Sequence, residues 1–184
     1  MSKSMFKVKF SVRLLCQIAL LVALEIVFNR FLSIRTPIVK IGFSFVPIVV
    51  CACVYGPIWA TITYVVADLL GTVIEGNVPL PGLTLSLAIM GFMFGLFLYN
   101  LDKDKFGALS TWVHIVVPVL FNQLVLSLLA NTYWLWQAGY AGGTYWTAVV
   151  SRLVQTAILT AVQIVLIPVL LRIVRILRRQ RLVG

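Results

Sequence analysis

Acidic side chains are scarce in this chain: 5 Asp and Glu stand against 15 Lys and Arg, and only 11% of its 184 residues are charged. So few charges cannot cover the surface of a water-soluble domain of this length. Histidine is rarer still, because His114 is the single one, and beside a connection it reads as a helix-start residue. No GxxxxGKS/T, HExxH or GxSxG sequence occurs, so P-loop nucleotide hydrolysis, a zincin metal site and a nucleophile elbow are all unsupported. The three cysteines, Cys16, Cys51 and Cys53, lie in apolar stretches without zinc-ligand or CxxC spacing and read as reduced, buried packing residues. An enzyme active site, a metal and a resident cofactor are therefore not expected. No internal repeat is visible either, which speaks against a secondary carrier built from duplicated halves.

What is present is apolar length, with 61% of residues hydrophobic. The fold class expected is an all-α integral membrane protein of about six spans, over residues 12–32, 42–54, 58–74, 83–101, 110–129 and 147–176. Short polar or Pro- and Gly-marked connections separate them, and the whole of 1–184 reads as a single transmembrane domain. The first apolar run is too long for a signal-peptide core and has no small-x-small cleavage pattern after it, so it reads as a retained span. Basic residues gather at both ends, Lys3, Lys7, Lys9 and Arg13 before the first span and Arg172, Arg175, Arg178, Arg179 and Arg181 along the last. Positive flanks mark the cytosolic side, so both termini are expected there. That places the connections at 33–41, 75–82 and 131–146 outside.

The first outer connection then holds Arg30, Arg35 and Lys40 against the positive-inside tendency. Attraction of an anionic solute explains such retention better than contact with headgroups alone, since Glu75 is the one outer acid offsetting them. A carboxylate at mid-membrane depth costs about 2.5–3.5 kcal/mol on insertion scales, so Asp68 needs a partner or a purpose. Thr61, Tyr64, Asp68, Thr72 and Glu75 share one helical face, as do Arg152, Thr156, Thr160 and Gln163 with Gln155 beside them, and Gln123, Ser127 and Asn131 form a third stripe. Two readings stand for these stripes: an interhelical hydrogen-bond seam, or the wet wall of a pocket open to the outside. Arg152 suits either an ion pair with Asp68 or Glu75 or a clamp on a ligand carboxylate. Most of the aromatic residues between Tyr133 and Trp146 read as interfacial anchors, with Trp134, and Phe31 and Phe43 around the basic loop, as candidates to stack on a flat ring. Ala19 and Ala23 form a small-xxx-small pair on the first helix.

The run ALEIVFNRFLSIRTPIVKIGF from Ala23 to Phe43 resembles the substrate-binding S components of energy-coupling factor (ECF) transporters, specifically the folate group. Tyr55-Gly56-Pro57, Ala67-Asp68-Leu69-Leu70-Gly71 and Pro81-Gly82-Leu83-Thr84-Leu85 are similar to the same group in order, while residues after about 110 match only in general character. The resemblance implies a six-helix bundle with an outward-facing ligand pocket roofed by outer loops, which binds a vitamin and hydrolyses no ATP. It implies as partners a shared membrane coupling protein, facing Ala19 and Ala23, and two cytosolic ATPase subunits that use ATP, with import by toppling of the whole subunit. With folate as ligand, the expected contacts are stacking by Phe31, Phe43 or Trp134, donor recognition by Asp68 or Glu75, and tail attraction by Arg30, Arg35, Lys40 and Arg152. Thr72 and Gln155 complete the expected set. An S component for pantothenate or a purine-like precursor, a stand-alone carrier and a non-transport membrane assembly protein are the competing readings.

Overall fold

The computed structural model describes residues 11–35, 40–99, 101, 109–140 and 143–179. The helix α1, Val12–Arg30, starts where Ser11 Oγ accepts the Leu14 N–H at 3.4 Å. Two three-residue strands follow, β1 at Ser33–Arg35 and β2 at Lys40–Gly42, paired antiparallel with Ser33 opposite Gly42 and Arg35 opposite Lys40. The first outer connection, expected as an irregular loop, thus carries a small hairpin. Strands this short leave too little alternation to be read from sequence.

Next come α2, Phe45–Tyr55, and α3, Pro57–Ile74, divided by Gly56 at φ 86, a backbone setting that glycine takes without a Cβ penalty. Proline also opens α4, Pro81–Leu98, at a position where its missing N–H leaves no bond unmade. Helix α5, Leu109–Leu120, continues without a break through a π-helical stretch, Phe121–Ala130, into α6, Asn131–Gln137, and α7, Tyr145–Arg179, closes the described chain. The stretch 131–146, expected as a loop, is therefore helical in its first half. Pro118 lies just before the change of register, where the lost i−4 hydrogen bond loosens the α-helical ladder.

Five of these segments are long and apolar enough to cross a membrane: Val12–Arg30, Pro57–Ile74, Pro81–Leu98, Leu109–Gln137 and Tyr145–Leu177. The sixth expected span is α2, whose 11 residues rise only about 16 Å, roughly half a hydrocarbon core. It sits in the middle of the bundle, with Ile48, Val49, Cys51, Ala52 and Cys53 fully buried against α1, α3, α4 and α7. Outward faces are apolar, as a lipid solvent requires, and Cys16 lies on such a face rather than in the core expected for it.

Candidate functional site

A cavity of about 470 Å³ opens at the end of the bundle where the hairpin, the α3–α4 connection and α6 meet. That volume falls within the roughly 300–1,000 Å³ range of small-molecule sites. The three connections expected on the outside thus surround one mouth. Apolar side chains, Leu83, Leu87, Met90, Phe94 and Leu159, supply much of its wall, and polar groups converge on it from α3, the π-helical stretch and α7.

From α3 come Tyr64, Asp68, Thr72 and Glu75, four of the five members of the stripe. Thr61 does not line the cavity; its hydroxyl donates to the Pro57 carbonyl of its own helix at 2.9 Å and lies 3.4 Å from the Ala88 carbonyl of α4, the interhelical contact of the seam reading. Asp68 is held by α4: the Thr84 hydroxyl donates to its Oδ2 at 2.7 Å. Glu75 forms an ion pair with Arg30 across the α1–α3 interface. A polar annexe of about 50 Å³ beside the main cavity is lined by Glu25, Asn29, Arg30, Asp68 and Glu75, so Arg30 stands behind the α3 carboxylates rather than in the cavity wall. Within the annexe, Asn29 Nδ2 donates to Glu25 Oε1 at 2.8 Å.

Arg152 and Gln155 reach the cavity from α7, as does Gln163. Arg152 is only 6% exposed, and its Nη1 donates to Thr132 Oγ1 at 2.9 Å while its Nε has no partner among the described residues. No carboxylate pairs with it among the described residues, so of the two readings open for Arg152 the ion pair with Asp68 or Glu75 is not formed. Thr156 and Thr160 fold back on their own helix, donating to the carbonyls of Arg152 at 3.0 Å and Thr156 at 2.7 Å, and line a shallow apolar groove instead. The third stripe, Gln123, Ser127 and Asn131, lies wholly on the cavity.

The aromatic candidates are outside the wall. Phe31 is 82% exposed and Phe43 45% exposed, with Phe43 at the rim between the lining residues Gly42 and Ser44. Trp134 packs over Gly82, where an added Cβ would lie 2.0 Å from the indole Cδ2, and so ties α6 to the start of α4. The rings that do line the cavity are Phe45, Tyr64, Phe94 and Tyr140. The side chains of Arg35 and Lys40 lie outside the described part of the structure, as do Lys3, Lys7, Lys9 and Arg181. Asn29 and Asn122 are lining residues that the sequence reading passed over. Asn122 adjoins Gln123, and both line the cavity although neighbours on a helix point to different sides.

The family model for the ECF transporter substrate-specific component matches residues 13–172. The chain belongs to this family. Its role is accordingly that of a non-enzymatic, substrate-binding, multi-pass subunit of the cytoplasmic membrane. Among curated proteins it is 32% identical to the folate transporter FolT of Clostridium novyi (strain NT) over 157 residues, which is 85% of this chain and 86% of that relative. It is 27% identical over 128 residues to the folate transporter FolT of Leuconostoc mesenteroides, covering 69% of this chain and 65% of the other. A crystal structure of FolT bound with folic acid superposes with a TM-score of 0.73 at 26% identity, over 85% of this chain and 91% of that one. The six-helix S-component bundle read from the sequence is thus the fold adopted.

Proposed function

We propose that this S component binds folate in the cavity at the hairpin end and delivers it across the cytoplasmic membrane. The observation that carries the reading is Arg152, a buried guanidinium facing a ligand-sized cavity without a carboxylate partner among the described residues. Burying a cation in this way is costly unless an anion meets it, and a guanidinium fork takes a carboxylate in bidentate fashion. Folate offers two carboxylates on its glutamate tail and a flat pterin at the other end. The likeness to folate transporters, and to a FolT structure holding folic acid, supports the same ligand.

In this reading Arg152 clamps the tail, with Arg35 and Lys40 of the hairpin and Arg30 adding to the cationic mouth. Asp68 accepts an N–H of the ligand, with Thr72, Glu75 and Gln155 alongside it. Tyr64 and Tyr140 supply ring faces from the wall, and Phe43 and Trp134 flank the entrance. The cavity faces outward and both termini face the cytosol, with residues 1–184 acting as one transmembrane domain. ATP is hydrolysed by two partner subunits acting through a membrane coupling protein, which docks on α1 at Ala19 and Ala23. Both alanines are exposed on the outer face of that helix.

Calorimetric titration of the detergent-purified protein with folate, alongside thiamin, riboflavin and pantothenate, tests the ligand. Saturable one-to-one binding of folate alone is expected. Binding of another of these vitamins instead would reassign the substrate within the family, and no binding at all would remove the proposal.

A further inference from the structure

Thr132 lies behind the cavity wall and has no role in the reading above. It is 1% exposed and is not one of the lining residues, yet its Oγ1 accepts a hydrogen bond from Arg152 Nη1 at 2.9 Å across the α6–α7 interface. Arg152 does line the cavity, so Thr132 can act on a ligand only through it. A threonine within a helix commonly gives its hydroxyl to the carbonyl one turn back, as Thr61, Thr72, Thr156 and Thr160 do in this chain. The Thr132 hydroxyl meets a guanidinium on another helix.

The place of Thr132 is itself held. Trp134, two residues on, points to nearly the opposite side of α6 and packs over Gly82, where an added Cβ would lie 2.0 Å from the indole Cδ2. Helix α6 is thereby wedged between the start of α4 and the flank of α7, and it touches both. Its large side chain faces α4, and its hydroxyl faces Arg152. A wedge seated in this way cannot slide without either driving the indole into the α4 backbone or breaking the bond to Arg152.

We infer that Thr132 is the positioning residue for Arg152: it fixes the plane of the guanidinium before the ligand arrives and, being neutral, leaves the positive charge for a ligand carboxylate. The guanidinium is a rigid planar fork, so a hydrogen bond at one corner, with the stem anchored at the other, sets where the remaining N–H groups point. An arginine free to turn would lose that freedom on clamping the ligand, and holding it beforehand takes that loss out of the binding step. A carboxylate at position 132 would orient the guanidinium too, but it would also neutralise it. The hydroxyl separates orientation from neutralisation. This inference rests on Arg152 as the clamp for a folate carboxylate and names the group that aims it.

The test compares folate with folic acid diamide, in which both tail carboxylates are carboxamides, on the full-length protein by calorimetry and by displacement of labelled folate. Thr132→Val, nearly the same shape without the hydroxyl, is expected to weaken folate about three- to tenfold, the worth of ordering one long side chain, and to leave the diamide unchanged. Thr132→Ser keeps the hydroxyl and should keep the affinity for folate. Thr132→Asp keeps an acceptor but adds a charge, so it should lose more folate affinity than Thr132→Val does. In an Arg152→Met background, Thr132→Val should have no further effect. A loss shared by the diamide, or one that persists without Arg152, is the mark of a merely structural residue and would overturn the assignment, as would a valine variant that binds folate like the unaltered protein. Thr132→Ala repeats the comparison in case the valine variant does not fold. Folate affinity unchanged by Arg152→Met would instead remove the clamp on which the inference rests, and failure of the unaltered protein to bind folate would remove the ligand.

Discussion

Arg152 and Arg30 are both cations near the cavity, and their surroundings assign them different work. Arg152 is buried in the wall with Thr132 as its one side-chain acceptor among the described residues, so a ligand carboxylate would complete its hydrogen bonding. Replacing it by Met is expected to weaken folate binding by roughly 10- to 100-fold, the worth of hydrogen bonds to a charged group. Arg152→Lys should recover only part of the loss, because an ammonium lacks the planar fork. Thermal unfolding without ligand should not suffer in the Met variant, since no ion pair among the described residues is broken; unchanged calorimetric affinity would remove Arg152 from the site. Arg30 already faces Glu75. Arg30→Ala is expected to reduce folate affinity well beyond Arg179→Ala at the far end of α7. Repeating it in a Glu75→Ala background separates two roles: a persistent loss means direct attraction of the ligand, and a vanished one means that Arg30 acts by positioning Glu75.

Among the elements, α3 and α4 make the closest approach that bears on the site, because Asp68 on one is held by Thr84 on the other. The approach depends on small residues: a Cβ on Gly95 would lie 2.1 Å from the Pro57 Cα, and one on Gly91 2.8 Å from the Ala60 carbonyl oxygen. Gly95→Ala must push backbone against backbone, so a destabilisation of about 1–3 kcal/mol is expected. A melting temperature in detergent equal to that of the unaltered protein would argue against this packing. The stripes on α3 and α7 were legible in the sequence because a polar residue in a membrane span is conspicuous and the 3.6-residue period tells which ones share a face. Two stripes then divided: Thr61, Thr156 and Thr160 lie off the cavity, while the others line it. Sequence spacing cannot make that division, because it depends on which neighbour covers the face. The π-helical register was equally hidden, since no residue type marks it. The Arg30–Glu75 pair joins helices distant in sequence, so nothing local announced it.

At the scale of the whole molecule, the proposed binding site and the proposed coupling face lie on different surfaces. The cavity is built from α3, α4, the π-helical stretch and α7, and its mouth opens at the hairpin end. Helix α1 turns Leu14, Ile18, Val22 and Glu25 inward, which leaves Ala19 and Ala23 on a face directed away from the bundle. Small side chains there let another helix come close, and in lipid such closeness is a main source of helix–helix affinity. Ala19→Leu and Ala23→Leu add bulk at exposed positions of α1, so folding and folate affinity should be unaltered. Uptake in cells that also carry the coupling protein and ATPases should fall sharply, and the variant should no longer co-purify with them. Loss of folate binding in these variants would mean that α1 transmits shape to the cavity; full uptake would move the docking face elsewhere. The pattern expected from a division between cargo site and coupling face is intact binding with transport lost.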